Sequence, residues 1–188
     1  MAEAAINLTA GQKADRKLDM IFVNVGGSGT ETWELLGRGV EDASVEYNHD
    51  TDTVTDILGI TDVNVSAAKP ELDLDPCTIR GGQKLSAKLL DIERRNAVSE
   101  LSMFDVLHVH CFLGAASGSF TAEKHTGCTI VPQSLGGSDY VGMPMNVHLS
   151  NNKTLGTCTI AAGQADVRGV EADGADQGAV RILDVIAF

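Results

Sequence analysis

Two histidines sit two residues apart, His108 and His110, inside the apolar run VLHVHCFL (residues 106–113). On a strand this spacing places both imidazoles on one face and Cys111 on the other. Two such ligands begin a metal site, but a third carboxylate or histidine must arrive from elsewhere in the chain. Val106 and Phe112 share the histidine face. The expectation is therefore two neutral, hydrogen-bonded imidazoles within a layered core or at a subunit contact, with no metal. Asp50-x-Asp52 and Asp73-x-Asp75 have the opening spacing of a calcium loop. After Asp50, however, the fifth and sixth residues are Val54 and Thr55, where a calcium hand needs an oxygen ligand and a glycine. The acidic, glycine-rich run at residues 169–178 is equally loose. These acidic stretches are read as solvated loops.

The glycine-rich GGSGT at residues 26–30 follows a strand, as a phosphate cradle does. A phosphate cradle needs a helix N-terminus behind it. Here ETWEL continues as a strand and puts carboxylates where phosphate would lie, so a hairpin connection is expected. Neither G-x-S-x-G nor H-E-x-x-H occurs. No active site is recognisable, and the chain is read as a non-enzyme without a cofactor. The catalytic alternative is a metal-dependent enzyme built around His108 and His110.

Alternation marks the elements. Residues 20–25 (MIFVNV) form a short apolar strand, and at residues 32–36 Trp33 and Leu35 face opposite to Glu34. Around Val45 and Tyr47, and again around Val63 and Val65, apolar and polar residues alternate, so each strand buries one face. Between them lies an Asp- and Thr-rich stretch broken by Gly59, which is read as a long loop at about residues 48–62. In the segment from residue 33 to 76, ten carboxylates from Glu41 to Asp75 follow Arg38 and are opposed by Lys69 alone. An excursion of that kind costs chain entropy unless something orders it, in the same subunit or a neighbouring one. Pro70 and Pro76 make PELDLDP extended and irregular. Leu85, Leu89 and Ile92 then mark one face of a helix at about residues 84–96, whose exposed side carries Lys84, Lys88, Arg94 and Arg95.

The run at residues 106–113 is apolar on both faces and reads as a central strand. Short strands follow near residues 128–131, 145–149, 155–160, 166–170 and 180–186, separated by glycine-rich turns such as residues 114–119. The fold class is all-β, a β-sandwich or barrel with one flanking α-helix. Residues 1–19 are expected to be a flexible arm, its positive charge at Lys13, Arg16 and Lys17. Residues 20–188 are read as a single sandwich domain.

Composition narrows the function classes. A net charge of −12 argues against gripping nucleic acid, which takes clustered Lys and Arg. No run approaches the roughly 20 apolar residues of a membrane helix. The N-terminus lacks the basic-then-apolar order of a secretory signal, so assembly in the host cytoplasm is expected. Cys77, Cys111, Cys128 and Cys158 form no C-x-x-C pair, and reduced, buried thiols are expected.

A pattern emerges once these elements are placed: Trp33 in an early strand, Gly37 to Glu41, the strand ending Tyr47-Asn48, Thr55 to Gly59, and Pro70 in the return strand. It resembles the major tail tube proteins of long-tailed, siphovirus-type bacteriophages, and the likeness covers most of the chain from Met20 onward. The resemblance implies a virion structural protein, located in the tail, whose hexameric rings stack into a tube. DNA would pass through that tube at genome ejection without specific binding. It also implies a long loop reaching between subunits or rings. The implied partners are further copies of the chain and the tape-measure, tail-tip and tail-terminator proteins. A tube subunit of a contractile injection system or tail-like bacteriocin is the structural alternative, and a capsid decoration or binding β-sandwich is another. For a sugar binder, the aromatic content of 4% is low.

On this reading Glu34, Glu46, Asp62 and Asn64 are candidates to line the bore, where acidic side chains would repel the phosphate backbone. Asp50, Asp52 and Asp56 are candidates to meet Lys84, Lys88, Arg94 and Arg95 of an adjacent subunit. The two surfaces have opposite charge and no obvious partner of their own.

Overall fold

A computed structural model describes residues 5–26, 30–37, 40, 43–113, 119–161, 164–168 and 180–182. The glycine-rich GGSGT connection, much of the Gly37–Glu41 turn, the loop at 114–119 and the run at 169–178 lie wholly or largely outside those residues. So do most of the expected strand at 180–186 and the last two residues of that at 166–170.

Among the described residues the fold is mostly β-sheet with one α-helix. The strands are β1 (Asp19–Asn24), β2 (Trp33–Leu35), β3 (Val45–Glu46), β4 (Thr51–Thr55), β5 (Thr61–Val65) and β6 (Glu71–Leu74). After helix α1 (Lys84–Arg95) come β7 (Phe104–His110), β8 (Ser119–Pro132), β9 (Met145–His148), β10 (Lys153–Ala161), β11 (Gln164–Arg168) and β12 (Val180–Ile182). One curled sheet runs in the order β12-β11-β10-β8-β7-β1-β2, and a branch continues from β8 through β9 and β6 to β3.

The long strand β8 makes this branching possible. Its first half pairs with β7 and β10, and its last residues pair with β9. The register against β7 shifts between Phe104 and Val106, opposite Gly127 at φ +73°. A residue of that conformation bulges and bends a strand, and glycine adopts it without steric cost. The sequence places one short strand at 128–131 because SFTAEKHTG is polar on one side and carries that glycine.

Strand β6 also departs from the sequence expectation. PELDLDP is not irregular: Leu72 and Leu74 are buried, Glu71 and Asp73 point away, and the strand pairs with both β3 and β9. Pro70 and Pro76 flank the strand without entering it, so no ladder N–H is lost.

Strand β7 is covered on both faces, as expected. Phe104 and Val106 enter a core with Ile21 and Val23 of β1, Leu72 and Leu74 of β6, Ile130 of β8, and Met145 and Val147 of β9. Helix α1 closes this core with Leu85, Leu89 and Ile92. Each fully buried aliphatic side chain contributes about 1.5–3 kcal/mol relative to exposure. Leu107, Val109 and Cys111 face the opposite side, with Phe22, Trp33, Ala122 and Cys158.

The N-terminal stretch is tied down at two points. Ile6 bridges to Leu113, where Asn7 N–H donates to Phe112 O at 3.0 Å. The Arg16 guanidinium donates to Ala43 O at 2.8 and 3.1 Å. Among the described residues, no helix is long and apolar enough to cross a membrane.

Candidate functional site

The stretch read as a long loop is a β-hairpin. Strands β4 and β5 pair antiparallel from Thr51↔Val65 to Thr55↔Thr61, as a two-stranded sheet apart from the main one. The turn is built by Asp56, whose carboxylate accepts from Leu58 N–H at 2.8 Å and Ile60 N–H at 2.9 Å. Gly59 supplies the left-handed residue, at φ +79°. At the base, Ser66 N–H donates to Asp50 O, Asp50 N–H donates to Ser66 Oγ, and Lys69 N–H donates to Tyr47 O. Because β3 pairs with β6 just below, residues 45–72 form one antiparallel ribbon that starts in the main sheet and then leaves it. Length, an Asp- and Thr-rich composition and the break at Gly59 suggested a loop. Threonine and valine at alternate positions, with an Asp-x-x-Gly turn, make a hairpin instead.

Every residue of β4 and β5 is exposed. Strand alternation puts Thr51, Thr53, Thr55, Thr61, Val63 and Val65 on one face, and Asp52, Val54, Asp62 and Asn64 on the other. Ile57 and Leu58 stand at the tip, 102% and 78% exposed, with Ile60 beside them. An isolated two-stranded hairpin is marginal in water, and clustered exposed apolar side chains mark contact surfaces. This ribbon therefore has one β-branched face, one acidic face and an apolar tip, all uncovered in the single chain.

The charged candidates divide. Asp52, Asp62 and Asn64 lie together on the hairpin's acidic face, and Glu46 is exposed on β3. Asp50 is ion-paired to Lys69 within the chain, and Asp56 is committed to its turn. Arg94 and Arg95 also have partners of their own. Arg94 Nη2 is 3.1 Å and Arg95 Nε is 2.8 Å from Asp91, while Arg95 makes a forked contact with Glu100 at 2.8 and 2.9 Å. The supposition that these acidic and basic surfaces lack internal partners is thus corrected for Asp50, Arg94 and Arg95. One turn of helix and the following 3-10 turn bring opposite charges together. Lys88 lies over the Phe104 ring, 4.9 Å from its centroid, and Lys84 is exposed at the helix start. Glu34 points to the helix: its carboxylate accepts from Lys84 N–H at 2.8 Å and Leu85 N–H at 3.1 Å. It caps the positive end of a helix whose N-cap residue, Gln83, makes no side-chain cap.

The histidines have acquired a third member. Asp19 lies opposite His110 in the β1–β7 register, and its Oδ1 is 2.8 Å from His108 Nε2 and 2.9 Å from His110 Nδ1. The two rings are 4.1 Å apart. From β8, Glu123 sits opposite His108 and reaches His110 Nε2 at 3.9 Å, His125 Nε2 at 3.6 Å and Lys153 Nζ at 2.8 Å. Burial alone would push the Asp19 carboxyl up, but the bonds from His108 and His110 outweigh it and hold it well below the usual carboxylate range. The bond from His125, with Lys153 beside it, overcomes burial to lower Glu123 to about 2. Sequence reasoning assigned Asp19 to the arm and passed over Glu123 and His125. Register between β1, β7 and β8 makes the cluster, and nothing in residue spacing announces that register.

No family model and no curated protein matches this chain. Among solved structures, it is similar to the sheath/tube terminator of the PVC extracellular contractile injection system in its extended state, with TM-score 0.47 and 10% identity over 78% of this chain and 99% of that one. It is also similar to the tube-terminating cap of the anti-feeding prophage, AFP, with TM-score 0.46 and 14% identity over 84% and 99%. A chain of the PVC sheath–tube complex in the extended state gives TM-score 0.43 and 11% identity over 78% and 93%.

Proposed function

We propose that this chain is a structural subunit of a phage-tail-type tube, and that it assembles by seating its β4–β5 hairpin on a second copy of itself. The observation that carries the reading is the hairpin, whose Thr/Val face and Ile57–Leu58 tip are fully formed yet uncovered. The occupant is a second copy because the ribbon is continuous with the main sheet. A ring can cover every hairpin and close the open edges at β2 and β3 at once. The turn-and-strand pattern from Trp33 to Pro70 supports the same reading. The reading takes in the tube or tube end of a contractile injection machine as well as the tube of a long-tailed phage. Residues 20–188 act in it as one unit. The acidic face of Asp52, Asp62 and Asn64 suits a water-filled bore past which DNA or another polyanion slides.

Electron microscopy and light scattering of the purified chain across a concentration series test this. Stacked tubes support a tube subunit, and closed rings that do not stack support a tube-end subunit. A monodisperse monomer at millimolar concentration overturns the reading.

A further inference from the structure

We propose that Asp19, His108 and His110 form a binding site for one divalent first-row transition-metal ion, which joins β1 to β7. The inference is independent of the assembly reading. One oxygen and two imidazole nitrogens, one from each residue, lie within 4.8 Å of one another. They come from two adjacent strands paired in register, Asp19↔His110 and Ile21↔His108, so the backbone ladder holds them in place. Four-coordinate zinc with bonds of about 2.1 Å separates its ligand atoms by roughly 3.4 Å. The oxygen-to-nitrogen separations here are 2.8 and 2.9 Å, so small rotations of the side chains admit the ion.

Three further features fit a metal. The two histidine side chains are nearly buried, 6% and 12% exposed, while the Asp19 side chain at 26% leaves a way in from solvent. His110 turns its second nitrogen toward Glu123, 3.9 Å away, beyond hydrogen-bond distance but near enough for the carboxylate charge to favour a cation beside the ring. Phe112 packs edge-on against His110, its centroid 5.6 Å away, and restricts the ring. The donor set selects the ion. Two imidazoles and one carboxylate suit zinc, cobalt, nickel or ferrous iron, whereas calcium and magnesium demand oxygen ligands. Arg16, with Nη1 3.7 Å from Asp19 Oδ2, opposes a cation, so Asp19 binds through the oxygen that already faces the histidines.

The test uses the full chain, stripped with chelator and titrated with zinc and separately with cobalt. Calorimetry is expected to show one equivalent bound. The thermal midpoint should rise with zinc, as binding to the native state alone requires. Asp19→Ala and His110→Ala should each weaken binding at least tenfold. His49→Ala and His148→Ala should leave it unchanged. X-ray absorption of the native zinc-loaded chain should show imidazole scattering from two nitrogens, and this holds the proposal to account even where a variant does not fold. Absence of saturable binding, of imidazole scattering, or of any effect of the Asp19 and His110 variants overturns it.

Discussion

Glu34 shows how one side chain can be legible in type and misplaced in role. Alternation put it opposite Trp33 and Leu35, and the structure agrees. The face it occupies is that of the helix, because a strand residue paired with Val23 looks into the α1 layer. Glu34→Ala removes the acceptor for two helix-start N–H groups and should cost about 1 kcal/mol. A denaturant titration checks this, with the midpoint falling at unchanged slope; an unmoved midpoint would dissolve the capping role. The thiols are a second case. Burial pushes Cys111 up to about 11, with the Asp19 carboxylate adding to it, and burial likewise raises Cys128. At pH 8 neither should react with a disulfide reagent until the chain is unfolded, while half-buried Cys77 should react slowly in the native state. Rapid native labelling of Cys111 or Cys128 would show that their packing is looser than described.

Among the elements, the hairpin and the helix contrast. Leu85, Leu89 and Ile92 at helical spacing announced α1, and they are the residues it buries. Nothing comparable announced β4. Its TDTVT lies in a run rich in aspartate, and its β-branched residues face outward, so no apolar alternation pointing into a core was present to be read. The hairpin also supplies the sharper test. Because Ile57 and Leu58 are exposed, Ile57→Asp with Leu58→Asp should change subunit stability by no more than about 0.5 kcal/mol. The same pair should weaken self-association by at least tenfold, about 1.4 kcal/mol. Sedimentation beside thermal melting reads both quantities. Undiminished association with a normal melt would remove the hairpin tip from the contact.

For the whole molecule, the net charge of −12 means that copies repel one another. The Debye length falls from about 30 Å at 0.01 M salt to about 3 Å at 1 M. If apolar and β-branched faces carry the contact, assembly should increase with sodium chloride, as light scattering would record. Disassembly by salt would instead return the contact to paired charges between the acidic hairpin and Lys84 and Lys88. The amino-acid sequence by itself determined the mostly β class, the helix α1 with its buried face, the doubly covered strand β7 and the shared face of His108 and His110, because each follows from periodicities of 2 or 3.6 within one element. Tertiary structure alone decided that Asp19 and Glu123 join those histidines, that Arg94 and Arg95 are already paired, that Glu34 caps α1 and that β8 bends between sheets. These depend on register and on contacts between residues far apart in the chain, as in Asp19 and His110, 91 positions apart, which local spacing does not encode.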